Sequence, residues 1–435
     1  MSARAEPFVG LRFTPHNVGR WVVWGGFAIL LLIAPLLFRS GLAHTMLSQM
    51  GIAVIACLAY NILLGQGGML SFGHAVYSGL GSYLTIHTLN LVSAGQLALP
   101  VSLLPLVGGL AGLFFAALFG YVTTRKAGTP FAMITLGLGE LVWSMSLMLP
   151  EFFGGEGGIS GNRVTGSRFA GITFGPQIQL YYLIAVYCFV STAAMFALTR
   201  TPLGRMLNAV RDNPERVEFI GYDTQHVRFV SFTISGFFMG IAGGLGALNF
   251  EIVTAEVVGA GRSGGYLLFT FLGGATTFFG PIIGGVLLVL AVVLLSELTK
   301  AWLLYLGLIF MFMVMYAPGG LASLILMNLR VAAYGRLREL GWRYAALAAS
   351  ALVLLSGAGA VIEMVYFLQV DVTGGDTMRF AGVPLAPRGA ASWVGAAVVL
   401  AAGIALFEAA RRRFVRHWNG VQEDIERELR RRAGL

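Results

Sequence analysis

Residues 61–81 read NILLGQGGMLSFGHAVYSGLG, and they join two apolar segments, 46–64 and 75–92, each long enough to cross a bilayer. Glycines 65, 67, 68 and 73 let the backbone unwind or approach a neighbour closely, while Gln66, Ser71 and His74 bring polar groups to that depth. Two readings follow. The stretch is an interrupted membrane segment whose loosened backbone lines a pathway, with Gln66, Gly67, Ser71, Gly73 and His74 facing it, or it is a place where small residues let helices pack.

The surrounding chain supports a membrane setting. Of its 435 residues 57% are apolar and 11% charged, and the charges gather into short stretches between long uncharged runs. Twelve apolar segments emerge, at 21–38, 46–64, 75–92, 99–122, 129–149, 180–198, 229–249, 264–280, 282–298, 301–317, 343–368 and 393–410. They predict an all-α polytopic integral membrane protein with about ten core transmembrane helices, two of them interrupted, and a C-terminal two-helix hairpin. The first segment, WVVWGGFAILLLIAPLLF, is too long and too far from the start for a signal peptide and reads as a retained helix. Cys57 and Cys188 lie inside apolar segments, where a thiol behaves as a small hydrophobe.

Arginine sets the expected orientation, because basic residues near helix ends stay on the cytoplasmic side. The clusters are Arg4, Arg12 and Arg20; Arg125 with Lys126; Arg200, Arg205, Arg211, Arg216 and Arg228; Arg330, Arg336, Arg338 and Arg343; and Arg411 to Arg413 with Arg416. Twelve crossings from a cytoplasmic N-terminus put every one of these inside and both termini in the cytoplasm. The net charge of +9 then follows from topology, and with no base-reading motif present no nucleic-acid partner is expected. The same count puts residues 150–179 outside as a candidate docking or gating loop. Residues 199–228, five arginines balanced by Asp212, Glu215, Glu218 and Asp223, suit a protein partner more than lipid.

Several motifs carry possible chemistry. GQGGMLSFGHA has a weak echo in LGGATTFFGPI, which aligns Phe72 and Gly73 with Phe279 and Gly280 and suggests a second interrupted segment containing Gly273 and Gly280. In TPLGRMLNAVRDN, residues 201–213, Thr201 can cap a helix and Pro202 suits its first turn. Leu203, Met206, Leu207 and Val210 then share one face, with Arg205, Asn208, Arg211 and Asp212 turned away. Such a helix can lie in a partner's groove or rest on the membrane surface. Glu140, Glu297 and Glu363 are the acids in or beside membrane segments. Neither lysine, Lys126 or Lys300, completes a P-loop, so any ATP is hydrolysed on another subunit. The GISG string around Ser160 lacks a nearby histidine and makes a poor serine nucleophile, and no spacing suggests a metal site.

The stretches NILLGQGGMLSFGHAVYSGLGSY, TPFAMITLGLGELV, FGGEGGISG, TPLGRMLNAVRDNPERVEFIGYD, FLGGATTFFGPIIGGVLL and YAPGGL occur in one order over roughly residues 45–325. Together they resemble the M-type permease subunits of high-affinity branched-chain amino-acid ABC importers. The resemblance implies a multi-pass protein of the bacterial inner membrane, assembled with a second permease subunit, two cytoplasmic ATPases that bind ATP and Mg, and an external solute-binding protein. This chain would bind no cofactor of its own. The resemblance makes 199–228 the coupling loop, with Leu203, Arg205, Met206, Arg211, Glu215 and Gly221 meeting an ATPase. Arg216 and Val217 stand where the ABC-permease loop pattern has two alanines. The domains implied are 1–44, 45–325 as permease core, and 326–435 as linker, extra hairpin and basic tail, which the family pattern lacks. Urea or short amides are alternative solutes, and a stand-alone secondary transporter using Glu140 or Glu297 is the alternative class.

Overall fold

The apolar segments become helices whose ends sit where the caps and prolines put them. The computed structural model describes residues 18–165, 173–370, 378–380 and 383–433. Arg4, Arg12 and residues 166–172 of the expected external loop lie outside them.

In chain order come α1 (Val18–Leu37), α2 (Gly41–Asn61), α3 (Ala75–Ser93), α4 (Leu104–Thr123), α5 (Thr129–Met148) and a short α6 (Pro150–Phe153). Strand β1 (Ile159–Ser160) precedes α7 (Gln177–Arg200), α8 (Pro202–Asp212), α9 (Pro214–Phe219) and α10 (Thr224–Phe250). Strand β2 (Ile252–Val253) is followed by α11 (Ala260–Gly273), α12 (Gly280–Leu290), α13 (Ser296–Leu298), α14 (Trp302–Tyr316), α15 (Gly320–Ala333) and α16 (Leu337–Val370). A β3 (Met378–Phe380) and β4 (Val383–Leu385) hairpin leads to α17 (Ala390–Ala433). The expected interruptions are both present: α2 runs into a π-helical turn at Ile62–Gln66 and stops before α3, and α11 stops before α12.

The protein is thus an all-α polytopic membrane protein. Among the described residues eight helices are long and apolar enough to cross a bilayer, or nine when α14 and α15, bent by 51°, count as one span. Twelve segments were expected, and the difference has local causes. The expected 75–92 segment forms α3, but Ser78, Ser82, Thr85, His87, Thr88 and Asn90 make it too polar to qualify on composition. The 21–38 segment yields only the short apolar helix Trp21–Leu37, 264–280 only the 14 residues of α11, and 301–317 only the 15 of α14.

Contacts divide the chain into two compact units, one of residues 1–270 with 284–289, the other of 271–283 with 290–435. The domain boundary expected after 325 falls inside α15.

In the first unit the centre is a near-contact of backbones. Gly108 and Gly112 of α4 face Gly236 and Gly240 of α10, so that a Cβ on Gly108 would stand 2.7 Å from the Gly240 oxygen. One on Gly243 would collide with the Ser78 carbonyl of α3. This is small-residue packing, which replaces the missing hydrophobic drive between helices in lipid. It leaves α2 wrapped, with Ile52 to Ile62 all buried.

The expected external loop is pinned to the same unit. Ile159 and Ser160 pair with Val253 and Ile252. Behind them Arg163, 8% exposed, donates from Nε to the Phe174 carbonyl at 2.8 Å and from Nη1 to the Leu248 carbonyl at 2.9 Å. Its Nη2 reaches Gln177 Oε1 at 3.2 Å, and Gln177 in turn holds Asn249 at 2.8 Å. One guanidinium thus ties the loop to the end of α10 and the start of α7.

In the second unit Gly320, at φ 69°, packs its backbone on Gly274, so the chain turn before α15 meets the break before α12. The α16 and α17 helices lie antiparallel with Gly357 against Leu400 and Gly403 against Leu354. Past that contact Val331, Leu340, Val421 and Ile425 form a small separate core, and Arg336 pairs with Asp424 at 2.6 Å. Glu363 accepts hydrogen bonds from Thr299 and Tyr305, joining α16 to the helices before it.

Substitutions at three positions test this packing in detergent. Gly243→Ala should lower stability by at least about 2 kcal/mol because the Ser78 backbone cannot retreat, whereas Gly137→Ala, whose Cβ meets nothing within 4 Å, should leave the melting temperature unchanged. Arg163→Met strands several buried carbonyls at about 1–3 kcal/mol each and should expose the 150–165 loop to proteolysis. Arg163→Lys should not rescue it, because a point charge cannot reproduce the fork.

Candidate functional site

The loop between α7 and α10 is built by three caps. Thr201 Oγ1 accepts from Gly204 N at 3.3 Å and Pro202 opens α8; Asn213 Oδ1 accepts from Arg216 N at 3.0 Å and Pro214 opens α9. Asp223 then caps α10 through Gln225 N and His226 N. Each side chain satisfies amides that the first helical turn leaves free. Leu207 and Val210 are buried and Leu203 and Met206 half-buried, as the apolar stripe requires, while Arg205 and Glu215 are exposed. Gly221 holds φ 89° at the turn after α9. Around it Phe219 is 88%, Ile220 67% and Tyr222 51% exposed, an apolar patch on a charged loop.

The polar side of α8 faces away as the pattern suggests at Arg205 and Asp212, which are exposed, but two of its side chains also reach back to the α2 break. Arg211 Nη1 donates to the Gly65 carbonyl at 2.5 Å and Asn208 Nδ2 to Gln66 Oε1 at 2.9 Å. Gly67 and Gly68 have no side chain because none fits: a Cβ on Gly67 would lie 3.0 Å from Leu207 Cδ1, and on Gly68, at φ 63°, 2.7 Å from Arg211 Cγ. A carbonyl at the end of the π turn is a free acceptor, and an arginine from another helix takes it. Gly65 and Gly68 of the first interruption therefore meet Arg211 of the expected coupling helix, while Gln66 meets Asn208 and Gly67 lies beside Leu207.

Deeper in the break, Ser71, Gly73 and His74 are buried. Tyr60 OH donates to the Ser71 carbonyl at 2.6 Å, and the Phe72 amide donates to Thr135 Oγ1 at 3.2 Å. A Cβ on Gly73 would collide with the Thr135 carbonyl of α5, so glycine here serves close approach. Ser235 Oγ donates to the Ala59 carbonyl at 2.5 Å, which leaves its lone pair for His74 Nε2–H at 2.8 Å. Rings of Tyr60, Tyr77 and Phe232 surround the imidazole at 5.4, 5.4 and 5.9 Å. His74 Nδ1, Ser71 Oγ and Asn61 Oδ1 are buried without partners. The break is thus packed by protein around three buried polar atoms that have no hydrogen-bond partner among the described residues.

Gly273 and Gly280 belong to the second unit, where both are buried and a Cβ on Gly280 would strike the Gly274 carbonyl. Among the expected acids, Glu140 is exposed near the middle of α5, Glu297 is exposed, and Glu363 is hydrogen-bonded. Ser160 sits in β1 with its carbonyl bound by Asn90 at 3.1 Å. Sequence reasoning missed Ser235, Ser263, whose hydroxyl accepts from Ala75 N at 3.0 Å, and Arg163. Arg163 had one signal, an arginine on the side where basic residues are not expected.

Known proteins match the sequence that builds this arrangement. The profile of the family described as "Branched-chain amino acid transport system / permease component" fits residues 42–318. The high-affinity branched-chain amino acid transport system permease protein LivM of Salmonella typhimurium is 29% identical over 291 residues, covering 62% of this chain and 67% of the relative. LivM of Escherichia coli K12 is 28% identical over 295 residues, with the same coverage. A fructose import permease protein, FrcC of Rhizobium meliloti, is 24% identical over 274 residues, covering 58% of this chain and 69% of the relative. No solved structure matches. The interrupted α2, the capped loop helix seated on it and the family profile that spans both lead to one conclusion: this chain belongs to the permease components of branched-chain amino-acid transport systems.

Proposed function

We propose that this chain is the translocating membrane subunit of an importer that carries branched-chain amino acids into the cytoplasm with ATP hydrolysed on partner subunits. The observation that carries the reading is the seat of α8 on the α2 break, through Arg211 on Gly65 and Asn208 on Gln66. A displacement of α8 acts on the interrupted backbone with no intervening element, which is what a coupling device between an ATPase and a gate needs.

The exposed Phe219, Ile220 and Tyr222 supply a seat for an ATPase subunit. Two such subunits carry ATP and Mg, and this chain holds no cofactor. Glu140 supports a second permease subunit, because a carboxylate exposed near mid-span is costly against lipid and needs protein or water over it. An external solute-binding protein delivers the solute. The assembly lies in a bacterial inner membrane with both termini cytoplasmic. Two contacts support the crossing pattern, while its orientation rests on the arginine bias: the stretches expected inside, 65–68 and 201–212, meet one another, and so do 159–160 and 252–253, expected outside. A second reading keeps the mechanism and changes the solute, to urea or a short amide, and the fructose permease among the relatives favours such breadth.

In vesicles holding the full assembly, Arg211→Ala should cut ATP-dependent leucine uptake by about tenfold, the loss of about 1.4 kcal/mol of coupling, with the ATPase subunits still bound. Phe219→Asp with Ile220→Asp should release the ATPase subunits. Unchanged uptake in Arg211→Ala overturns the coupling role, and leucine uptake that persists without ATP overturns the importer. Suppression by urea or amides in place of leucine moves the substrate.

A further inference from the structure

Behind the first turn of α11 the first unit encloses a cavity of about 30 Å3, between Ser78 and Ser82 of α3, Gly246 and Phe250 of α10, Val253 of β2, and Arg262 with Tyr266. At that size it holds water and little else. Three features separate it from a packing void.

The first is Arg262. Its Nε donates to Tyr266 OH at 3.2 Å, and neither terminal amine has a protein hydrogen bond among the described residues. Arg262 is exposed, with Glu256 close enough to act on its charge and the Tyr266 ring 5.8 Å away, and its two-pronged edge is the kind that suits a carboxylate. Ser78 and Ser82 form the second. Their hydroxyls already donate to the Ala75 and Gly243 carbonyls, so they present only lone pairs, which suit an ammonium group. The third is space. A Cβ on Gly246 would meet nothing within 4 Å, and the same holds for Gly261, Gly264 and Gly265 around Arg262. The remaining wall, Phe250 and Val253, is apolar.

We infer that this cavity is the closed form of a subsite for a zwitterionic aliphatic amino acid, its carboxylate on Arg262, its ammonium on the serine hydroxyls and its side chain against Phe250 and Val253. The inference rests on the import reading above, which supplies the solute; the site itself is read from these side chains. Occupancy requires the cavity to widen, and the glycine faces of α10 and α11 are where side chains do not oppose it.

The test is thiol protection in the full assembly without the external binding protein. Gly246→Cys places the only reactive thiol in the cavity, since Cys57 and Cys188 are buried. Millimolar leucine should slow its alkylation by a water-soluble maleimide about fivefold or more, as a site filled most of the time does. Leucinamide and 4-methylpentanoate, each lacking one charged group, should protect far less. Arg262→Gln should abolish protection and Arg262→Lys should keep part of it, which also covers the case in which the glutamine variant fails to assemble. Equal alkylation with and without leucine, equal protection by leucinamide, or a thiol that never reacts overturns the subsite. None of these outcomes depends on ATP, so a failed uptake experiment and a failed protection experiment remain distinct results.

Discussion

A helix that stops within a membrane protein frees backbone groups that lipid cannot satisfy, and the architecture around α2 follows from that constraint. Gly65 gives its carbonyl to Arg211, Ser71 gives both backbone groups to Tyr60, Phe72 gives its amide to Thr135, and Ala75 gives its amide to Ser263. Those four partners come from α8, α2, α5 and α11. The interruption therefore fixes where four helices must stand, and the glycine contacts among α3, α4 and α10 bring the rest close enough for the partners to reach.

The same constraint links structure to transport. A break stabilised by side chains from separate helices holds only while those helices keep their places, so under the proposed import function a movement of α8, α5 or α11 acts on it directly. The unpartnered Ser71, His74 and Asn61 atoms show that the packed form is not fully satisfied. Groups left wanting hydrogen bonds lower the cost of a form in which water or solute supplies them.

Much of this was legible in the sequence. Glycines 65 to 73 marked the break, and Thr201 with Pro202 marked the start of α8, because caps and prolines act within a few residues. The apolar stripe on α8 was legible for the same reason. What was not legible is what the polar side of that helix does: nothing in 201–213 says that Arg211 and Asn208 reach residues 146 and 142 positions earlier. Ser235 and Ser263 were equally silent, single hydroxyls in apolar helices whose partners lie 161 and 188 residues away. Length and composition mark fewer spans than the twelve segments expected where the signal is ambiguous, on the hydroxyl-rich α3 and the short α11 and α14, all of which form as helices. Glycines 108, 112, 236 and 240, a four-residue period that puts small residues on one helix face, pack α4 on α10, a signal present in the sequence but not among the motifs read from it.

The small core around Val331 draws its other half from Val421 and Ile425, ninety residues further along. At a synthesis rate of about 5–20 residues per second, that half arrives roughly five to twenty seconds later. For that interval the end of α15 is exposed at the ribosome and the insertion machinery, with its apolar face unmatched. The extra hairpin thus gives the helix just past the family match a delayed maturation, and a chain halted before α17 would leave the Val331 and Leu340 side of that small core without its partner.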